Sequence, residues 1–542
     1  MARSYDDLTK EELVRLLQAR DRRDATKFGL VWEANEVERD KALNDDFVTL
    51  DLDPALSCGQ GPWENLIIEG DNFDALRALK MAYNGKVKCI YIDPPYNTGN
   101  KDFVYNDRFV DREDNWRHST WCEFMWQRLT LAKDLLKEDG IIFVSIDDNE
   151  VAPLRLIMDR IFGMDNWIST LIWKKSYGGG AKAKHVVGLH EYVLCFSQSK
   201  DSLGRISLPP NPEVLKYYKF KDSKYEIRGP YRLQPLATNS MDERPNLRYP
   251  ILFEEEEIWP EKQWQWSKDR VYVALENDEI VVEKKRGKWS VNYKQYLKDE
   301  SGEERGAKPY SIIEGPFTQI GTGEIKDIFG DGKTFSFPKP SGLIEVLLKF
   351  FYEDKTALVL DFFAGSGTTA HAVLKLNKED GGNRRFILVS SRENTDGEPE
   401  KNLCRDVCAQ RVRRVIEGYQ DTPGTGGSFA YLRAERVEPG RMLEIDHARV
   451  WTALQLMHLQ AVQPWNKAAY HWAGTEDAAL LYVPEYTPSL IPTLREKVME
   501  SGAVVLYSWQ PGLLRNQIRA AHVQHEGIPE ALMRKFGLRR GA

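Results

Sequence analysis

Apolar positions change rhythm repeatedly along the chain, and each change marks a boundary. Leu13, Leu16 and Leu17 fall at helical spacing inside the charged run 8–23, which predicts one helix in an N-terminal arm over residues 1–60. From Asn65 onward, short continuous apolar runs alternate with helical stretches. Residues 66–68 and 87–92 read as buried strands, and 73–83 as a helix carrying Leu76, Leu79 and Met81. Residues 118–138 form a long amphipathic helix with Trp121, Met125, Leu129, Ala132 and Leu136 on its inner face. Gly140 ends it, and 141–146 is a third strand. Apolar strands without polar alternation, separated by helices, predict a parallel sheet covered on both faces.

Around Ser199 the alternation stops. As far as Lys333 the chain is rich in Pro, Lys, Glu and aromatic residues, with short β-prone runs at 271–274 and 280–282. The α/β pattern then returns: a helix at 342–351, a strand at 357–361, a helix at 368–376 and a strand at 386–390. One doubly wound domain interrupted by an insert explains this order, and two separate domains would also fit; the motifs decide between them. The predicted organisation is the arm (1–60), a first α/β half (61–199), an inserted domain (200–334) and a second half (335–420). Beyond the glycine-rich break at 423–427 lies a C-terminal domain (421–542) with strands at 478–483 and 503–507.

At 542 residues and 42% hydrophobic, the chain can fill several cores. No apolar run is long enough for a bilayer and the N-terminus is polar, so a cytoplasmic protein is expected. Six cysteines make no disulfide framework. Cys404 and Cys408, four apart with no second pair, suit a helix face better than a zinc knuckle, so no metal is expected. The formal net charge of −7 does not advertise nucleic-acid binding, but its distribution says more. Between Thr170 and Arg232 there are twelve Lys/Arg against five Asp/Glu, interleaved with Trp173, Tyr177, Tyr217, Tyr218, Tyr225 and Tyr231. Such a stretch suits a phosphate backbone as well as a solvated loop.

Two motifs carry chemistry. Asp93-Pro94-Pro95-Tyr96-Asn97-Thr98-Gly99 directly follows a strand, at the end where α/β sheets place ligands. The prolines stiffen the turn, and a carboxylate, a carbonyl and an aromatic ring sit within four residues. An exocyclic adenine amine needs this set. Its lone pair is delocalised into the ring, so two acceptors, Asp93 and the Pro94 carbonyl, must draw on its N–H bonds while Tyr96 stacks on the base. The second motif, Asp361-Phe362-Phe363-Ala364-Gly365-Ser366-Gly367-Thr368-Thr369, joins a strand to a helix. Its glycines allow close backbone approach. Position 370 is Ala where a pyrophosphate loop has its third glycine, and an acid with aromatic residues precedes. That composition suits S-adenosylmethionine, which has no phosphate and a zwitterionic end. Glu393, past the next strand, is placed for ribose hydroxyls.

Together these residues resemble the β-group of DNA amino-methyltransferases, in which a D-P-P-Y motif precedes an F-x-G-x-G motif; here the two lie roughly 270 residues apart in that order. Residues 335–340 (Phe-Ser-Phe-Pro-Lys-Pro), with Lys339, look like the family's segment that closes over the cofactor. Residues 140–150 and His190-Glu191-Tyr192 also match family patterns. Within the group, residues 92–99, 145–150 and 427–431 look most like the modification subunits of type III restriction systems.

The resemblance implies a mostly parallel seven-stranded sheet with one antiparallel strand, and a target-recognition domain in the insert. It implies methylation of adenine N6 in double-stranded DNA by base flipping, since Asp, rather than the Ser usual in N4-cytosine enzymes, opens the motif. Asp93, Pro94, Pro95 and Tyr96 become the catalytic set. Asp361, Phe363, Ala364, Gly365, Ser366, Gly367, Thr368, Lys339 and Glu393 become the cofactor set. A homodimer is implied, with an ATP-dependent restriction subunit or another defence-system subunit as partner.

Candidate DNA contacts are Lys174, Lys175, Trp264, Trp266, Lys268, Arg270, Lys284, Lys285 and Arg286, although a Trp at alternating positions equally suits a strand core. The competing readings are N4-cytosine or RNA methylation and a non-catalytic recognition subunit. A methylase–nuclease is a further one, from the faint pattern of Asp269 with Glu283-Lys284-Lys285.

Overall fold

The computed structural model describes residues 46–99, 104–105, 108–109, 117–178, 184–209, 212–239, 242–285, 287–302, 306–394 and 398–536, and a few positions between 9 and 17. Most of the predicted 8–23 helix therefore lies outside the described residues. The part described, 12–15, is helical and begins with a reciprocal cap: the Thr9 amide donates to Glu12 Oε2 (2.6 Å) and the Glu12 amide to Thr9 Oγ1 (3.3 Å).

The chain divides into two compact units, Met1–Arg205 with Tyr310–Lys349 and Glu353–Ala542, and Ile206–Pro309 with Phe350–Tyr352. The first is built on a ten-stranded sheet. Its strands in chain order are β1 (Phe47–Cys58), β2 (Leu66–Glu69), β3 (Val87–Ile92), β4 (Leu136–Ile146), β5 (Trp167–Lys174), β6 (His190–Ser197), β7 (Ile312–Glu314), β8 (Leu358–Asp361), β9 (Arg385–Ser390) and β10 (Phe429–Val437). In space they run β1-β10-β2-β9-β8-β3-β4-β6-β5-β7. Only β1 and β6 are antiparallel to the rest. The seven strands expected are the contiguous run β2-β9-β8-β3-β4-β6-β5, widened by β1 and β10 on one edge and β7 on the other.

The central strands are buried along their length because they are apolar on both faces; every residue of β3 and β8 is buried. Helices α1 (Asn72–Tyr83), α2 (Arg117–Leu135), α3 (Val151–Phe162), α4 (Thr318–Phe329), α5 (Ser341–Leu348), α6 (Thr368–Asp380), α7 (Gln410–Glu417) and α8 (His447–Leu459) belong to the same unit. Asp71 caps α1 by accepting from the amides of Phe73 and Asp74. From β8 the chain crosses through α6 to β9 on one side, whereas from β3 it crosses through α2 to β4 on the other. The neighbours β8 and β3 therefore diverge. The crevice outside their carboxyl ends is the switch point at which such sheets bind ligands.

Several boundaries differ from the sequence reading. Residues 47–58, expected in the arm, form an edge strand, because Val48 and Leu50 point into the core while Asp53 pairs with Arg433. The insert is narrower than 200–334: residues 310–334 belong to the first unit, and β10 extends that unit's sheet beyond residue 420. The C-terminal region carries a four-stranded sheet of β11 (His471–Gly474), β12 (Ala478–Val483), β13 (Ala503–Ser508) and β14 (Val523–Gly527), the last three parallel. It packs on the main sheet through α8, β1 and Phe47.

The second unit has its own core of Leu236, Tyr249, Ile251, Ile258, Trp264, Val271 and neighbours beside a three-stranded antiparallel sheet. The β-prone run 271–274 is helical there, inside Lys268–Glu276, because Val271 and Ala274, three apart, both face the core. Among the described residues no helix is long and apolar enough to cross a membrane, and no cluster of three metal-ligating side chains occurs.

Candidate active site

The seven-residue string leaves β3 at its carboxyl end, directly into the switch-point crevice. The Trp121 indole donates to the Pro95 carbonyl (2.7 Å), so a buried α2 ring pins the turn. Among the described residues nothing donates to the Pro94 carbonyl. Asn97 takes a left-handed conformation (φ 56°) and donates to Glu150 Oε1 (2.5 Å), which also meets His118 Nδ1 at 2.6 Å. Glu150 is fully buried, and burial raises its carboxyl above the usual range against the pull of Asn97 and His118. Loop exit, helix α2 and the start of α3 are thus tied to one carboxylate.

A charged cluster surrounds the motif. Lys339 Nζ lies 2.8 and 2.9 Å from the two Asp93 oxygens, 2.9 Å from the Tyr96 hydroxyl and 3.3 Å from Glu191 Oε2. Tyr96 donates to that same Glu191 oxygen (3.0 Å), and Lys175 holds Oε1 at 2.9 Å. Burial alone would lower the Lys339 ammonium, but Asp93 and Glu191 outweigh it and hold it raised. Burial likewise favours a neutral Glu191, and the two lysines overturn this and keep it ionised.

The second motif leaves β8, which pairs in parallel with β3, so the two strings emerge side by side. Asp361 accepts from the Phe363 amide (3.0 Å) and from Thr369 Oγ1 (2.5 Å). Burial nevertheless pushes its carboxyl up to about 7. Gly365 (φ 49°) and Gly367 (φ 80°) are left-handed. A Cβ on Gly367 would stand 3.2 Å from the Cys408 carbonyl and sulfur, and one on Gly365 3.2 Å from the Phe335 ring. Phe363 packs on Phe124, and Ala364 donates to the Val389 carbonyl. Lys339 joins the two strings: its ammonium is on Asp93 and its carbonyl accepts from Thr368 Oγ1 (3.3 Å).

Some expected contacts are redirected. The buried hydroxyls of Ser366 and Thr368 turn to Arg411 (2.9 and 2.7 Å), whose other nitrogen holds Glu324 Oε2 at 2.8 Å. Glu324 in turn accepts from Ser341 at the start of α5 (2.6 Å). The Lys339 ammonium, expected at the cofactor, sits on Asp93. Lys175, expected on phosphate, is engaged by Glu191, while Lys174 ends β5 half-buried. Glu393 is left-handed (φ 54°), exposed, and 3.7 Å from Lys401.

In the second unit Trp264 is a core residue, its indole donating to the Tyr249 carbonyl, which corrects its placement among DNA contacts. Trp266 is half-buried under Arg270 (4.0 Å to the ring centroid), and Lys268 and Arg270 are exposed. Lys284 pairs with Glu256 and lies over Trp289. Lys285 is the last strand residue before the hairpin turn; Arg286 is outside the described residues.

Arg411 was missed by sequence reasoning although a signal existed. Cys408, Arg411, Val412 and Val415 share helical spacing, which puts this arginine on an otherwise apolar stripe. Glu191 was noted only as part of a pattern, and nothing local told of its four-residue network.

A family model described as DNA methylase matches residues 87–394, more than half of the chain and both strings. The chain belongs to the DNA methylase family. The chain is 34% identical over 407 residues to the type III restriction-modification enzyme StyLTI Mod subunit of Salmonella typhimurium, covering 68% of this chain and 59% of that one. It is also 34% identical over 345 residues to the type II methyltransferase M.KpnI of Klebsiella pneumoniae, covering 59% of this chain and 79% of that one. The chain spans about three fifths of the length of two of the type III Mod subunits it matches. Among solved structures, the PvuII DNA methyltransferase (cytosine-N4-specific) aligns at 11% identity and a TM-score of 0.32, over 64% of this chain and 91% of that one.

Proposed function

We propose that this methylase transfers a methyl group from S-adenosylmethionine to the N6 amine of a flipped adenine in duplex DNA. The observation that carries the reading is the shared crevice: an Asp-Pro-Pro-Tyr turn and an acid-plus-glycine loop at the carboxyl ends of adjacent strands, bridged by Lys339. The donor set fits this cofactor. The loop presents a buried carboxyl, not the basic groups of a phosphate site, and a carboxyl raised to about 7 is one that a ligand ammonium would ionise. Asp361, Phe363, Ala364, Gly365 and Gly367 would hold it, Ser366 and Thr368 would shape the loop through Arg411, and Glu393 would face the ribose. When bound, S-adenosylmethionine supplies a methyl already activated as a sulfonium. Asp93 and the Pro94 carbonyl accept the two N–H bonds of the amine and concentrate its lone pair, Tyr96 stacks on the base, and Asp93 takes the proton that N6 sheds.

Asp361 gives a signed prediction. Its carboxyl is raised from 3.8 to about 7, so its contribution to stability is full below the lower value and lost as pH rises through the upper one. Asp361→Asn, which cannot ionise, is therefore more stable than the native chain, and the difference in melting temperature widens between those two pH values. The same variant loses about tenfold or more in cofactor affinity at pH 8, as expected for a missing charge-assisted contact. Calorimetry and thermal melts check both signs.

The unit Ile206–Pro309 is read as the target-recognition module, with Lys268 and Arg270 toward the nucleic acid. Exchanging it for the corresponding segment of a relative changes the methylated motif in single-molecule sequencing of DNA from expressing cells. An unchanged motif assigns recognition elsewhere. The names of the type III relatives support a place in a restriction-modification system. A cytoplasmic location, a second copy of this chain and an ATP-dependent restriction subunit as partners are further parts of the proposal.

A further inference from the structure

Asp93 has both carboxylate oxygens on one ammonium, Lys339 Nζ, at 2.8 and 2.9 Å. A carboxylate so engaged is a weak acceptor for an incoming amine N–H, because its negative charge is already spent on a closer cation. The ammonium must leave before Asp93 can serve, yet the Lys339 side chain is only 11% exposed and has little water to retreat into. A second acid stands within reach: Glu191 Oε2 is 3.3 Å from the same nitrogen. Glu191 reaches the crevice from β6, opposite Trp173 of β5, and its side chain is 10% exposed. It is preorganised on both oxygens, by Lys175 on one and the Tyr96 hydroxyl on the other.

We propose that Glu191 is a positioning residue that receives the Lys339 ammonium when Asp93 turns to the target amine. The exchange moves one ion pair from Asp93 to Glu191 with no bond made or broken and no charge exposed. It leaves Tyr96 hydrogen-bonded to Glu191 throughout, so the ring that meets the base stays fixed while the acid beside it is freed. Lys175 keeps Glu191 ionised and ready. This inference rests on the methyl-transfer reading of the same site.

The test is a double-mutant cycle on the full chain with unmethylated phage lambda DNA and a labelled methyl donor. Glu191→Gln keeps the shape and an oxygen for Tyr96 but has no charge to pair with an ammonium. It lowers kcat about 10–100-fold, the worth of one charge-assisted hydrogen bond, and leaves donor affinity by calorimetry unchanged. In a Lys339→Met background, where no ammonium needs a berth, Glu191→Gln has no further effect. An equal loss in both backgrounds would make Glu191 a mere scaffold for Tyr96 and overturn the proposal, as would a fully active Glu191→Gln. A wild-type chain that transfers no methyl would instead refute the reading of the site itself. A second readout does not depend on variants that fold: in crystals of the native chain soaked with adenosine, Lys339 Nζ lies closer to Glu191 than to Asp93. An ammonium still on Asp93 with the base bound would also overturn the proposal.

Discussion

Asp93→Ala lowers methyl transfer at least about 10²–10³-fold while cofactor affinity stays at the native value. The split follows from the geometry. The carboxylate lies on the β3 side of the crevice, and the residues proposed to hold the cofactor lie on the β8 side. Its removal deletes the stronger of the two acceptors proposed to meet the amine, an interaction that would be needed as charge develops on N6. The fold should tolerate the change because Lys339 retains Glu191 at 3.3 Å and the Tyr96 hydroxyl at 2.9 Å. A melting temperature close to native, an unchanged calorimetric affinity and lost incorporation of labelled methyl are the expected triple. Retained turnover would remove Asp93 from the chemistry.

Arg411→Met acts through stability. The guanidinium is fully buried and ties Ser366, Thr368 and Glu324 together behind the glycine loop. Deleting it leaves a largely buried carboxylate and two hydroxyls short of a partner, which costs about 3–5 kcal/mol in denaturant unfolding. The loop should also loosen, since Ser366 and Thr368 flank Gly367, so donor affinity falls together with stability. Adding Glu324→Leu removes the stranded charge and restores part of the stability. It does not restore affinity, because the loop hydroxyls remain unheld. Recovery of both would mean that Arg411 only neutralises Glu324.

Much of this was readable from local pattern. β3, β4, β8 and β9 carry short apolar runs, and the two motif strings stand at strand ends, so the place of the candidate site was legible before any contact was known. What periodicity cannot report is which strands are neighbours. Val359 pairs with Cys89 across more than half of the sheet-forming chain, and only the register places Asp361 beside Asp93.

Lys339 and Lys175 meet partners other than those expected for the same reason: a lysine's charge predicts an anion, and sequence alone does not distinguish an anionic group of a cofactor or a phosphate from Asp93 or Glu191. β1 hid in a charged stretch although Val48, Leu50 and Leu52 alternate with Thr49, Asp51 and Asp53 in the two-residue period of a half-buried strand. At 271–274 the β-branched residues argued for a strand, and burial of Val271 with Ala274 on one helical face prevailed. Trp264 shows the converse: it stands among the candidate DNA contacts although its alternating position equally suits a strand core, and the indole serves the core of its own unit.

The most direct measurement is mass-spectrometric nucleoside analysis of unmethylated DNA after incubation with the purified chain and deuterated-methyl S-adenosylmethionine. Label is expected in N6-methyladenine, and none in that product with Asp93→Ala. Label in N4-methylcytosine, or no labelled nucleoside from a chain that binds the donor, would contradict the proposed reaction.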